Sequence, residues 1–156
     1  MSSMREEITE ADHIEAENSV VKFSYTKPEG FDRAKVSVRL GQTDHIRGMV
    51  QVIKDGGENN LHYHSRVDGM FTVLSGRIRF YGPEDVVISE CGPMEGVIIP
   101  RNARYWFENI GEGEAEVMLV QGFHVPGAET SGRTDTSERK LADAGNMDQT
   151  YNAVVK

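Results

Sequence analysis

Between residues 19 and 123 the chain runs in short apolar stretches, rich in valine, isoleucine and aromatic residues and interrupted by glycine, proline, asparagine and aspartate. Successive side chains on a strand point to opposite faces, so runs of this kind mark strands with at least one buried face. Residues 19–25 (SVVKFSY), 34–40 (AKVSVRL), 48–54 (GMVQVIK) and 60–65 (NLHYHS) are expected to be strands, with turns at 27–30 (KPEG), 41–44 (GQTD) and 55–57 (DGG). In 70–82 two strand-like runs flank Ser75-Gly76, and 86–89, 96–100, 104–109 and 115–123 follow, the last two joined by the turn-rich 110–114. Roughly nine or ten short strands, with no convincing amphipathic helix among them, predict an all-β barrel or sandwich of antiparallel strands.

The flanks break this pattern. Residues 1–18 are dominated by Glu and Asp and are expected to form a flexible, solvated arm before a barrel spanning 19–125. Residues 126–156 are a mostly polar extension. In it 137–145 has helix signals, Ser137 as cap and Gly145 as stop, while 151–155 (YNAVV) is apolar enough to dock on the barrel or on a partner subunit.

Composition narrows the function classes. A chain of 156 residues has room for one hydrophobic core. It has no apolar run near the roughly 20 residues a membrane helix needs and no secretory signal pattern, so a soluble, cytoplasmic protein is expected. Cys91 is the sole cysteine, which excludes an internal disulfide and a thiolate-rich metal site. A formal charge of -8 repels nucleic acid, leaving a small molecule as the expected partner.

The chemistry concentrates in His62 and His64. Two apart on a strand, they face together and can offer two nitrogens to one transition metal. Gly56, five residues, His62-Tyr63-His64 and then 70–76 (MFTVLSG) resemble the first motif of the cupin superfamily, and 96–109 (GVIIPRNARYWFEN) resembles the second. The likeness runs from about Val50 to Phe123. It implies a double-stranded β-helix (jelly-roll) barrel, often dimeric, in which the first motif supplies two histidines and a Glu or Gln and the second a third histidine. On this chain the Glu/Gln position falls on Gly69 and the third histidine position on Tyr105.

Three functions follow from that incomplete set. The leading expectation is an oxygenase or lyase with a divalent transition metal (Fe, Mn, Zn, Ni or Cu) held by His62 and His64, helped by Asp68 or Tyr105. Asp68 has the wrong parity for this unless a bulge turns it inward. The alternative is a metal-free isomerase, cyclase or dehydratase, with His62 or His64 as base near its reference pKa of about 6.5 and Tyr105 as donor to an oxyanion. A non-enzymatic barrel that holds a small ligand is the third. Phe71, Val73 and Phe107 are expected to wall an apolar pocket, with Gln121 and His124 the late polar residues facing it. Arg101 and Arg104 either attract a carboxylated substrate or are solvated. Trp106 is expected in a contact between sheets or subunits, and a homodimer is expected from uncovered strand edges and from the resemblance.

Overall fold

Alternation sorts the long strands into an inner and an outer face, and the inner faces of two sheets close on one core. The computed structural model describes residues 7–55, 60–126, 131–136 and 150–155. The larger sheet has the order β12 (Thr150–Asn152), β2 (Lys35–Gln42), β3 (Ile46–Ile53), β10 (Ala115–Phe123), β5 (Val67–Ser75), β8 (Gly96–Ile99). A three-stranded sheet, β7 (Val87–Cys91), β6 (Ile78–Tyr81), β9 (Trp106–Asn109), faces it. Two short pairs complete the topology: β4 (His62–His64) with β11 (Arg133–Asp135), and β1 (Lys22–Phe23) with β13 (Val154–Val155). Except for the parallel β12–β2 pair, these strands pair antiparallel. The fold is the double-stranded β-helix jelly roll, with facing sheets rather than a continuously hydrogen-bonded barrel.

Phe71, Phe80 and Phe107 occupy the centre, with ring centroids 5.3–5.4 Å apart. Val73, Ile78, Val117, Leu119 and Cys91 pack around them. Each such side chain, fully buried, contributes roughly 1.5–3 kcal/mol before the entropy of ordering is subtracted. This packing fixes the parity that sequence left open on β10: Val117, Leu119, Gln121 and Phe123 face inward.

The outer face of the large sheet is covered as well. Val38, Leu40 and Val50 lie beneath Tyr25, Tyr151 and Ala153. Tyr25 donates its hydroxyl to Glu116 Oε1 at 2.7 Å, and burial first, this hydrogen bond second, raise its pKa and keep it a donor. The chain end therefore docks on its own sheet, one strand on β2 and one on β1.

Several elements differ from the pattern reading. Only Lys22–Phe23 of 19–25 pairs as a strand. β5 starts at Val67, three residues before the run at 70–82, because Val67 and Gly69 continue its buried alternation. Glu10–Asn18 form a helix, α1, inside the stretch expected to be a frayed arm. A reciprocal capping box between Thr9 and Asp12 starts it, and none of its residues is buried. Trp106 is covered within the chain: it stacks on Tyr81 at 4.0 Å and donates Nε1–H to Asp85 at 2.9 Å. The 137–145 helix lies outside the described residues. Among the described residues no helix is long and apolar enough to cross a membrane.

Candidate active site

β4 sits between two partners that set its side chains. His62 N–H donates to Tyr105 O at 3.1 Å and Tyr105 N–H donates to His62 O at 2.9 Å. Residues exchanging both backbone bonds stand opposite one another with side chains on one face. Their rings accordingly lie 4.4 Å apart. His64 shares the face, 5.2 Å from the His62 ring and 6.1 Å from that of Tyr105. The turn that delivers Tyr105 needs a left-handed residue, and Asn102 supplies it at φ +71°, a conformation asparagine tolerates; its N–H donates to His64 O at 2.8 Å. On the other edge, β11 pairs Arg133 with His64 and Asp135 with His62.

The three rings have different surroundings. His62 is 1% exposed and Tyr105 4%, whereas His64 is half-buried. His62 Nδ1 lies 2.7 Å from the Asn60 carbonyl oxygen. A carbonyl only accepts, so Nδ1 carries the hydrogen and, in the neutral ring, the lone pair sits on Nε2. His64 Nδ1 is 2.7 Å from Ser131 Oγ, which can play either role. His64 and Tyr105 line a cavity with Gly69, Ile99, Leu119 and Gln121. Its volume is about 10 Å³, room for one water molecule. Gln121 is 3% exposed and accepts on Oε1 from Arg47 Nε at 3.1 Å and Nη2 at 2.6 Å.

The expected site residues divide between this cluster and other places. His62, His64, Tyr105 and Gln121 come together. Asp68 does not: it faces outward on β5, accepts from Arg101 N–H at 2.8 Å and lies 3.3 Å from His124 Nε2. The β5 ladder runs regularly past it, so nothing turns it inward. His124 is held on that outer side too. Phe71, Val73 and Phe107 are core residues packed against the cluster rather than walls of the cavity. Ser131, Asn60 and Arg47 are additions the strand pattern did not point to. Ser131 lies in the polar extension, and only the β11–β4 pairing brings it to His64.

This donor set fits a resident divalent metal poorly. Two imidazoles are present, but no group of three His, Cys, Asp or Glu side chains among the described residues is placed to hold an ion. At Gly69, where a carboxylate side chain would start, an added Cβ would sit tightly against Leu119 Cδ1 at 3.3 Å and in ordinary contact with Phe71 Cε2 at 3.8 Å. A two-histidine, one-carboxylate triad is thus incomplete in the described residues.

Comparison with known proteins agrees with the fold. The cupin domain family matches residues 49–121, from β3 through the inward Gln121 of β10. These residues are a cupin domain. No curated protein matches the chain. Among solved structures, a double-stranded β-helix protein from Klebsiella pneumoniae is 16% identical with a TM-score of 0.57, covering 70% of this chain and 90% of its own. An RmlC-like cupin from Methanocaldococcus jannaschii is 19% identical, TM-score 0.53, over 68% and 91%. An oxalate oxidase in complex with the substrate analogue glycolate is 14% identical, TM-score 0.55, over 74% and 61%. At these identities the likeness shows the fold of the cupin, and its chemistry has to be argued from its own residues.

Proposed function

We propose that this cupin is a cytoplasmic, metal-independent acid–base enzyme that moves a proton on a small organic substrate, as an isomerase, cyclase or dehydratase does. The observation supporting this reading is that His64 and the Tyr105 phenol line one small cavity, with the His62 ring 4.4 Å from that of Tyr105, while no group of three His, Cys, Asp or Glu side chains among the described residues is placed to hold an ion. His64, half-buried and cavity-lining, is the general base that takes a proton from carbon next to a carbonyl. Tyr105 donates to the oxygen on which charge develops. His62, buried and tied to Asn60, is a positioning residue that holds the Tyr105 ring. A cavity of one-water size admits only a small reacting group, with the rest of the substrate at the mouth. The homodimer expected from the resemblance is part of this proposal, and sedimentation velocity reads it directly.

The test is deuterium exchange at the carbon next to the carbonyl of small keto acids, followed by proton NMR in D2O with a chelator present. Exchange that continues in chelator and falls roughly 10-fold to 1,000-fold in Tyr105→Phe and in His64→Gln supports acid–base catalysis. Exchange that appears only with added metal returns the site to the metal reading. A ligand that binds and leaves unchanged, with no exchange across the series, points instead to a binding barrel.

A further inference from the structure

A second set of polar side chains shares the inner face with this cavity. On β3 the even positions Val50 and Val52 pack outward, so Arg47, Met49, Gln51 and Ile53 face inward, and Met49 packs on the central core. On β2 Val36, Val38 and Leu40 likewise pack outward, which leaves Arg39 on the inner side opposite Met49. Arg47 stands opposite Gln121, and Gln121 stands opposite Gly69, so one row of the sheet runs from the guanidinium to the cavity wall.

The electrostatics of that row are unbalanced. Arg47 is half-buried, lies 5.4 Å from the centre of the Phe123 ring, and points both Nε and Nη2 at the single oxygen of Gln121. A guanidinium fork matches the two oxygens of a carboxylate, and here one neutral amide oxygen fills it. Among the described residues no carboxylate forms an ion pair with Arg47 or Arg39. Burial first and the nearby Arg39 charge second lower the Arg47 pKa, the expected result of a partly desolvated cation beside a like charge. A half-buried cation without a counter-ion is costly, and a bound anion removes the cost.

We infer that Arg47, backed by Arg39 and Gln121, is an anion-binding arm at the mouth of the His64–Tyr105 cavity that takes the carboxylate of a small organic acid. The arm rests on the proposed acid–base reading for what happens next, since it would direct the carbon beside the carboxylate toward the two rings. A carboxylate suits it better than a phosphate: the fork has two parallel donors, and a chain of charge -8 favours a singly charged ligand.

The experiment is a ligand-observed NMR titration of pyruvate against the full chain, its methyl ester and inorganic phosphate serving as competing probes. Arg47→Gln should raise the pyruvate Kd at least 10-fold, Arg47→Lys by less because the charge stays and the fork goes, and the exposed Arg39→Gln about 3-fold. The methyl ester should bind at least 10-fold more weakly than pyruvate. Pyruvate affinity that is unchanged in Arg39→Gln and Arg47→Lys, an ester that binds as well as the acid, or phosphate that binds more tightly each overturn the arm. His64→Gln separates the two proposals. If it abolishes deuterium exchange while pyruvate affinity stays sensitive to Arg47, both hold. If exchange is lost but no arginine variant alters binding, the arm fails alone, and arginine-dependent binding without exchange in the wild type leaves the arm standing and removes the acid–base reading.

Discussion

Asp68 and Gly69 are neighbours on β5 and face opposite sides, and that single alternation decides what the site can hold. Asp68 points out, where the Arg101 N–H lowers its pKa below the ordinary carboxylate range, with His124 a weaker contributor. A group whose folded pKa lies below its unfolded value of about 3.9 stabilises at higher pH and loses that contribution as pH falls through the folded value. Asp68→Asn should therefore have a lower urea midpoint than the wild type at pH 7, by a small amount since the side chain is half exposed, and the gap should narrow as pH falls below the ordinary carboxylate range. A gap that does not change with pH would assign the loss to packing. The same variant should leave deuterium exchange untouched, because Asp68 and the imidazoles lie on opposite faces.

At the scale of elements, two local details hold strands in place, one on β8 next to the cavity and one at the end of β9. Gly96 opens β8, and a Cβ there would sit 1.7 Å from the Phe71 carbonyl oxygen. Gly96→Ala has to push β8 off β5, so we expect a loss of about 2–4 kcal/mol in denaturant melts, together with reduced exchange activity as Ile99 and the following turn shift. Asn109 ends β9: its side chain donates to Ile53 O at 3.0 Å and Gly113 O at 2.7 Å and accepts from Gly111 N–H at 2.9 Å. Three bonds at about 1 kcal/mol each, with buried partners left unsatisfied, predict a cost of roughly 2–4 kcal/mol for Asn109→Ala. Measured equilibrium unfolding within about 0.5 kcal/mol of the wild type would show that water replaces the amide there.

For the whole molecule, stability resides in the facing sheets and the layer over the large one, and α1 stands apart from both. It buries no residue, so a chain lacking residues 1–18 should melt within about 2 °C of the intact protein. A larger drop would reveal a contact that the helix makes outside the described residues. Much of this architecture was legible in the chain. Period-two runs such as Val36, Val38, Leu40 and Val50, Val52 identify strands because alternation is a local property of extended backbone. The spacing of His62 and His64 put both rings on one face for the same reason, and the motif count set Tyr105 beside them. Local rules could not say which parity of β10 faces inward, since Val117 and Leu119 on one face and Met118 and Val120 on the other are all apolar, until Phe71 and Phe107 fill the centre. Nor could they give Ser131 to His64 or Arg47 to Gln121, pairs 67 and 74 residues apart. The sequence by itself determined most of the strands between residues 34 and 123 and the pair of imidazoles. Only tertiary packing decided that Leu119 sits tightly against Gly69, that no bulge turns Asp68 inward, and that two arginines share a face with the cavity, because contacts between distant strands depend on register and on the volume of the side chains between the sheets.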